Sequence, residues 1–317
     1  MKKRIITGLI LALVLTPIVV INNSFVFIIF QIVMGLFVAI AAWEMLRMFE
    51  KEKPISKTSK TIIIGLTLLT FINIFLSLGK EWQEYGSMSL LGWKVNNLVI
   101  LLLTTVAIFG LFVFVPKFSS TDIGRALTII HYVGFSAASL SALRFLGVRV
   151  IVYVVLVSTM TDIFAYFIGV TFGKHKMAPQ ISPKKSWEGA IGGTIMATII
   201  GSCFALFYGD IFPSTGFLGE LLNSDGWKTI FDGFSSLGDI PLAAQALIVV
   251  PITMFGSIAA QIGDLVASKL KRTYQIKDFG NIFPGHGGVL DRFDSVLFIS
   301  ILFVGIILGI QAVFPLI

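Results

Sequence analysis

Long apolar runs separated by short polar segments dominate the chain. A helix needs roughly 20 apolar residues to cross about 30 Å of hydrocarbon. On that basis the pattern predicts nine membrane-spanning helices, near residues 5–22, 25–43, 61–78, 97–116, 126–143, 150–172, 189–208, 242–263 and 295–315. The fifth is the weakest, because His131 and several serines dilute it. We therefore expect an all-α, polytopic integral membrane protein.

Composition excludes an ordinary soluble domain. Hydrophobic residues make up 56% of the 317 positions and charged residues only 13%, whereas charged residues are about a quarter of a soluble protein. The single cysteine, Cys203, excludes an intramolecular disulfide framework. The apolar run after the initial MKKR has no small-residue cleavage site behind it, so we expect a retained first helix.

The basic residues indicate an orientation. Of the 24 Lys and Arg, 19 fall in alternate connections, at residues 1–4, 44–60, 117–125, 173–188 and 264–294. Because cytoplasmic loops are rich in Lys and Arg, we expect a cytoplasmic N-terminus and an external C-terminus. The net charge of +7 is scattered over short loops. This favours anionic lipid headgroups of the bilayer as partners and no nucleic acid.

The densest polar stretch runs from residue 264 to residue 294. It contains His286, four carboxylates (Asp264, Asp278, Asp291, Asp294) and five bases (Lys269, Lys271, Arg272, Lys277, Arg292). Carboxylates bind Mg²⁺ together with substrate phosphates, and Lys and Arg neutralise phosphate oxygens. The glycines of PGHGG permit a tight bend. The stretch therefore predicts a metal-phosphate site. An ordinary cytoplasmic loop would explain the bases but not the carboxylates.

Spacing predicts how this site is built. Asp264, Ser268 and Lys271 follow one another at i, i+4 and i+7, so they share a face if the eighth helix continues past the membrane surface. The GHGG turn would then bring Asp291 back towards Asp264. Two carboxylates placed in this way could hold a metal ion or a pair of ions.

A second polar group surrounds the sixth and seventh runs. Asp162, Tyr166 and Gly169 share a helix face, and a carboxylate within a spanning segment is a functional candidate by default. A structural pair with a basic residue is the alternative. Lys184 and Lys185 precede a glycine-rich helix start, which would form a phosphate-binding corner. Ordinary cytoplasmic lysines and close helix packing at Gly189, Gly192 and Gly193 explain that segment equally well.

No internal repeat divides the chain, and we expect a single membrane domain over residues 1–317. Within it, residues 1–149 are predicted to be scaffold helices. Residues 150–317 are predicted to be catalytic helices with cytoplasmic loops at 173–188 and 264–294.

The polar stretch resembles the signature of the phosphatidate cytidylyltransferase (CDP-diacylglycerol synthase) family. The order S-x-L-K-R, then K-D-x-G, then F-P-x-H-G-G-V-x-D-R-F-D matches at every signature position from Ser268 to Asp294, and P-K-K-S-W-E-G resembles a second shared segment. The resemblance implies that CTP and phosphatidic acid react to give CDP-diacylglycerol and pyrophosphate for phospholipid biosynthesis. It also implies Mg²⁺ and a second cation, for which K⁺ is a candidate.

Roles are assigned on this basis. Expected catalytic residues are Asp264, Asp291, Lys271, Asp278, His286 and Arg292, with Asp264 and Asp291 as metal ligands. Expected substrate-binding residues are Lys184, Lys185, Ser268, Arg272, Lys277, Asp162 and Tyr166. The resemblance implies a multi-pass protein of the bacterial inner (cytoplasmic) membrane whose site faces the cytoplasm, with a homodimer as a candidate assembly.

Two other classes stay open at this point. In a secondary transporter or ion channel, Asp162 and Asp264 would bind coupling ions near the membrane middle. Another CTP-using lipid enzyme, such as a polyprenol kinase or an archaeal ether-lipid cytidylyltransferase, is the second. A kinase would release CDP instead of pyrophosphate. The full signature favours the ester-lipid enzyme.

Overall fold

Helices form almost all of the structure. The computed structural model describes residues 2–21, 23–82, 97–283, 285 and 287–316. Its α-helices are α1 (Lys2–Val20), α2 (Ser24–Phe49), α3 (Lys57–Trp82), α4 (Asn97–Phe114), α5 (Ser120–Ile129), α6 (Ser136–Leu143), α7 (Val148–Phe172), α8 (Trp187–Leu206), α9 (Tyr208–Ile211), α10 (Phe217–Leu222), α11 (Leu242–Thr273) and α12 (Leu290–Val313).

Seven helical segments in the described ranges are long and apolar enough to cross a membrane. They are Phe25–Phe49, Lys57–Leu78, Ser120–Leu146, Val148–Phe172, Trp187–Leu206, Leu242–Thr273 and Leu290–Val313. The first and fourth predicted runs form α1 and α4, whose apolar stretches, Gly8–Val20 and Leu98–Phe114, are shorter. The all-α membrane class is confirmed, while the count of nine and the orientation of the termini stay predictions.

The span with the weakest hydropathy signal is the most buried of the seven. It continues from α5 through a π-helical turn (Ile130–Phe135), α6 and a 3₁₀ turn (Arg144–Leu146). Ser136 and Ser139 are fully buried there and donate hydrogen bonds to main-chain carbonyls one turn earlier, those of Tyr132 and Phe135. Serine can satisfy its hydroxyl in this way inside a helix. These serines therefore face protein instead of lipid, whereas His131 is exposed.

Helices α7 and α8 pack closely through small residues. A Cβ atom added at Gly189 would lie 2.6 Å from the Ala165 carbonyl oxygen, and one added at Gly193 would lie 2.8 Å from the Thr161 carbonyl oxygen. Only glycine permits this approach, as at other membrane helix contacts built on small residues. The close packing predicted for the glycines of α8 is confirmed.

The segment at 173–188, predicted only as a loop, contains a β-hairpin. Strand β1 (Lys176–Ala178) pairs antiparallel with β2 (Ser182–Ser186). The second strand leads directly into α8, where the Ser186 hydroxyl oxygen accepts a 3.2 Å hydrogen bond from the Gly189 N–H as a helix N-cap. Lys184 and Lys185 are thus carried on a strand joined rigidly to a helix.

The two helices that frame the main polar stretch differ from their apolar runs. Helix α11 continues to Thr273, ten residues past the predicted end of its span. This continuation is what the i, i+4, i+7 spacing from Asp264 to Lys271 needed for the three residues to share a face. Helix α12 begins at Leu290, before the predicted apolar run. On the opposite side, α9, α10 and a 3₁₀ turn (Ser236–Asp239) belong to the segment between α8 and α11. Arg149 holds that segment through hydrogen bonds to the carbonyls of Ile230 and Asp232.

Candidate active site

Lys185 and Asp264 form the first ion pair of the site. The Lys185 Nζ lies 2.5 Å from Asp264 Oδ2, which joins strand β2 to helix α11. Ser268, one turn further along α11, donates a 3.4 Å hydrogen bond to Asp264 Oδ1. Both charged side chains are only about a quarter exposed. The predicted face of α11 therefore exists, and the hairpin lysine meets its first carboxylate.

Lys271 and Asp291 form the second ion pair, which is more deeply buried. The Lys271 Nζ donates a 2.7 Å hydrogen bond to Asp291 Oδ1 and lies 3.8 Å from Asp294 Oδ2. The other Asp291 oxygen accepts hydrogen bonds of 2.7 Å from the Phe279 N–H and 2.9 Å from the Gly288 N–H. One carboxylate thus joins α11, α12 and both ends of the intervening loop.

The loop turns where the PGHGG sequence predicted a bend. Gly285 and Gly287 have positive φ angles of 79° and 86°, which favour glycine. A Cβ atom at Gly287 would also lie only 2.8 Å from Asp291 Oδ2. The Phe283 N–H donates a 2.9 Å hydrogen bond to the Gly287 carbonyl across the turn. His286, predicted to be catalytic, lies outside the described residues, so its role stays a prediction.

Asp162 and Asp294 extend the acidic side of the site. Asp162 on α7 is close enough to Asp264, Lys185 and Ser295 for electrostatic interaction with them. Asp294 on α12 interacts in turn with Asp264, Lys271 and Asp162. Four carboxylates from three helices and two lysines therefore form one charged cluster, which we call the chamber. The intramembrane carboxylate singled out in the sequence belongs to this group.

Glu44 on α2 supports the site and was not predicted. Its side chain is fully buried, and its two oxygens accept 3.0 Å hydrogen bonds from the N–H groups of Val289 and Leu290. The carboxylate thereby occupies the positive end of α12. A Cβ atom at Gly280 would lie 2.1 Å from Glu44 Oε1, and one at Gly288 2.4 Å. The sequence signal that could have identified Glu44 is its position as a carboxylate at the edge of an apolar run.

The other predicted residues lie around the chamber without joining its ion pairs. Arg272 donates hydrogen bonds to the carbonyls of Ile181, in the hairpin, and Ile276. Tyr166 is 65% exposed on α7. Lys184, Lys277 and Asp278 are exposed. Their predicted roles are not tested by this geometry and stay predictions.

The start of α8 is occupied by groups of the chain itself. The Ser186 hydroxyl oxygen accepts a hydrogen bond from the Gly189 N–H. Glu188 accepts hydrogen bonds from the N–H groups of Lys174 and His175. The His175 ring also lies 2.5 Å from Glu188. These contacts fix the base of the hairpin. In the described residues this helix end therefore positions Lys185, and a phosphate corner here stays a prediction.

Arg292 faces a different environment from that of its neighbour Asp291. It lines a cavity of 690 Å³ bounded by α1, α2, α7 and α12, whose other walls are almost entirely apolar. Phe283 and Val289 of the polar loop also line the cavity. Among the described residues, Arg292 has no carboxylate within ion-pair distance. A basic group therefore stands beside an apolar cavity, next to the charged chamber.

The oxygen donors of the chamber suit a hard cation that substrate phosphates help to bind. Across the described ranges, no three His, Cys, Asp or Glu side chains converge closely enough to hold a metal by themselves. Mg²⁺ does not need such a cage, because it commonly uses one or two carboxylates together with substrate phosphates and waters. Asp264 and Asp291, each paired with a lysine, fit that requirement.

The fold and the charged cluster together define an integral membrane protein with a site built from paired lysines and carboxylates. The chain belongs to the cytidylyltransferase family, whose sequence profile matches residues 2–309. A phosphatidate cytidylyltransferase of Bacillus subtilis (strain 168) is 32% identical over 303 residues, which is 94% of each chain. One from Staphylococcus epidermidis (strain ATCC 35984) is 29% identical over 299 residues, 94% of this chain and 96% of the relative. One from Staphylococcus haemolyticus (strain JCSC1435) is 37% identical over 183 residues, 58% of each chain.

Proposed function

We propose that this protein transfers the cytidylyl group of CTP to phosphatidic acid, forming CDP-diacylglycerol and pyrophosphate. The observation that carries the proposal is the pair of lysine–carboxylate contacts, Lys185–Asp264 and Lys271–Asp291, which two family signature segments bring into one chamber. The relatives that match 94% of the chain bear the name of this activity. A site with cations and carboxylates side by side can receive two polyanionic substrates.

The chemistry requires charge neutralisation more than acid–base catalysis. An oxygen of the lipid phosphate attacks the α-phosphorus of CTP, and the bond from that phosphorus to the oxygen bridging to the β-phosphate breaks. The electron pair leaves on pyrophosphate. The attacking phosphate monoester is already an anion near neutral pH, so no base has to remove a proton. Lys185 and Lys271 reduce the repulsion between the reactants, and positioning supplies much of the remaining rate.

Asp264 and Asp291 are the residues that would hold Mg²⁺, and the charges of Asp162 and Asp294 interact with that of Asp264. When bound, the ion supplies stabilisation of negative charge on the phosphate oxygens. Each of the two carboxylates would then exchange a lysine for the cation. The lysine released in this way would be free to contact a phosphate oxygen.

The lipid substrate has a suitable place beside the chamber. Acyl chains would occupy the apolar cavity between α1, α2, α7 and α12, and Arg292, which lines that cavity, would meet the phosphate headgroup. The arginine would hold the lipid phosphate by charge-assisted hydrogen bonds, on the side of α12 next to the chamber. CTP would enter the chamber from water.

We further propose that the chamber opens to the cytoplasm of a bacterial inner membrane, where CTP is available. The 19 Lys and Arg in alternate connections support this orientation. Tagging the N-terminus and the segment between α8 and α11 with a cysteine reporter tests it in intact cells. The N-terminal label should be protected from an impermeant reagent and the second one should react. The opposite pattern would reverse the topology.

Pyrophosphate release by the detergent-purified protein is the direct test of the reaction. Release should require CTP, phosphatidic acid and Mg²⁺ together and should stop when any one is omitted. Release of CDP instead would identify a kinase. CTP binding without pyrophosphate release would indicate another lipid acceptor, and no CTP binding would return the transporter hypothesis to the front.

A further inference from the structure

Tyr132 lies in the π-helical turn between α5 and α6. Such turns are rare and occur frequently at functional sites. The π-helical turn contacts α12, the helix that carries Asp291 and Asp294. The Tyr132 hydroxyl is also within electrostatic range of Asp294, Asp264 and Asp291. The irregular turn therefore places a phenol near the acidic side of the site.

The Tyr132 hydroxyl is buried without a hydrogen-bond partner among the described residues. Its side chain is only 9% exposed. Two other buried tyrosines have partners: the Tyr153 hydroxyl lies 2.6 Å from Thr253 Oγ1, and the Tyr208 hydroxyl donates a hydrogen bond to the Leu222 carbonyl. An unpaired buried hydroxyl lowers stability. A phenylalanine would fill the same space without that cost, so the hydroxyl calls for a function.

The chemistry of the chamber limits which partner the hydroxyl can have. The surrounding carboxylates attract cations, and the substrates of the proposed reaction bring phosphate oxygens to them. A tyrosine hydroxyl is a neutral donor, so it can contact such an oxygen without competing with cations for the carboxylates. A lysine or arginine at the same position would pair with the carboxylates and compete with those cations.

We propose that the Tyr132 hydroxyl is a substrate-contacting group that donates a hydrogen bond to a phosphate oxygen of the reacting substrates. The proposal rests on the proposed function and adds a residue from the predicted scaffold helices to the site. It predicts a separation of stability from activity at this position, because the hydroxyl gains a partner only when substrate is bound.

Tyr132→Phe removes only the hydroxyl, and Tyr153→Phe is the matched control. In Tyr132→Phe, the melting temperature should be equal to or higher than that of the wild type, while pyrophosphate release falls about 10-fold or more, as for a hydrogen bond to a charged group. In Tyr153→Phe, the melting temperature should fall and the rate should stay close to the wild-type rate. The two variants should therefore respond in opposite ways.

Equilibrium binding of CTP with Mg²⁺, in the absence of phosphatidic acid, identifies the phosphate. Weaker binding in Tyr132→Phe would place the contact on the nucleotide. Unchanged CTP binding with a raised KM for phosphatidic acid would place it on the lipid phosphate. Either result supports the proposal.

Three results would overturn it. They are wild-type kcat and KM values in Tyr132→Phe, a melting temperature that falls in proportion to the rate, or a change confined to the Mg²⁺ requirement, which would make the hydroxyl a cation ligand. If the wild type itself releases no pyrophosphate, the proposed function fails. Tyr132 is then judged by CTP binding alone, where wild-type affinity in the phenylalanine variant rejects it.

Discussion

The Glu44 carboxylate of α2 accepts a 3.0 Å hydrogen bond from the main-chain N–H of Leu290, 246 residues further along the chain. The same carboxylate binds the N–H of Val289. Leu290 is the first residue of α12 and Asp291 is the second. Glu44 therefore fixes the start of the helix that carries Asp291, the carboxylate of the second ion pair. An N-terminal helix thus positions a residue of the signature loop.

Glu44→Gln should lower both stability and activity. The amide keeps the shape but offers one acceptor oxygen, and its NH₂ group would face a main-chain donor. Loss of one buried charged hydrogen bond costs about 1–3 kcal/mol. The measurements are the melting temperature and pyrophosphate release. Glu220→Gln, on the exposed surface of α10, is the control and should change neither. A Glu44→Gln enzyme with wild-type kcat would show that α2 does not position the site.

Asp264→Asn should abolish turnover with little change in melting temperature. Among the described residues, the Asp264 carboxylate pairs only with side chains, those of Lys185 and Ser268. An amide of equal size therefore leaves the backbone supported while losing the charge that attracts a cation. Asp210→Asn, exposed beyond α8, is the matched control. Near-normal activity in Asp264→Asn would reject Asp264 as a metal ligand.

Asp291→Asn should abolish turnover and also destabilise the protein. Its carboxylate binds the N–H groups of Phe279 and Gly288 as well as Lys271. An amide can serve only part of that set, and the unpaired groups are buried. Leaving one buried donor without its hydrogen bond should lower the free energy of unfolding by about 1–3 kcal/mol. Thermal denaturation should therefore separate the two asparagine variants, and equal melting temperatures would contradict the structural role.

Lys271→Met should weaken CTP binding and stability together. The methionine is close in size, but Asp291 and Asp294 lose the cation between them, and breaking a buried pair costs about 3–5 kcal/mol. CTP affinity and the melting temperature are both measured. Lys269→Met, exposed on the same helix, is the control. An unchanged KM for CTP in Lys271→Met would mean that this lysine serves only the fold.

Gly193→Ala should impair the enzyme through helix packing. The added methyl would lie 2.8 Å from the Thr161 carbonyl oxygen, so α7 and α8 must separate, and Asp162 and Lys185 move with them. Pyrophosphate release and melting temperature should both fall. Gly305→Ala on α12 meets nothing within 4 Å and should be neutral. A wild-type rate in Gly193→Ala would show that this contact does not position the site.

Local sequence periodicity predicted the parts of the site that depend on one helix. The i, i+4, i+7 spacing placed Asp264, Ser268 and Lys271 on one face of α11, and the helix does continue to Thr273. The glycines of the loop predicted a bend, which the positive φ of Gly287 confirms. These features need only short-range geometry.

Contacts between distant segments were beyond that reasoning. Nothing in the spacing indicated that Lys185 would form an ion pair with Asp264, or Lys271 with Asp291. The hairpin at 176–186 lacks a strand-like apolar alternation, because its strands are short and largely polar. The π-helical turn at Tyr132 depends on how that span packs among its neighbours. Tertiary packing decided each of these features.

Both ends of the loop from residue 279 to residue 288 are fastened to a single oxygen, Asp291 Oδ2. Hydrogen bonds to this one oxygen therefore hold the two ends of the loop together. The entropic cost of closing the loop is met when the Asp291 side chain takes its position. Any rotation of that side chain pulls on both ends at once. The carboxylate that would bind a cation thus also holds the signature loop closed.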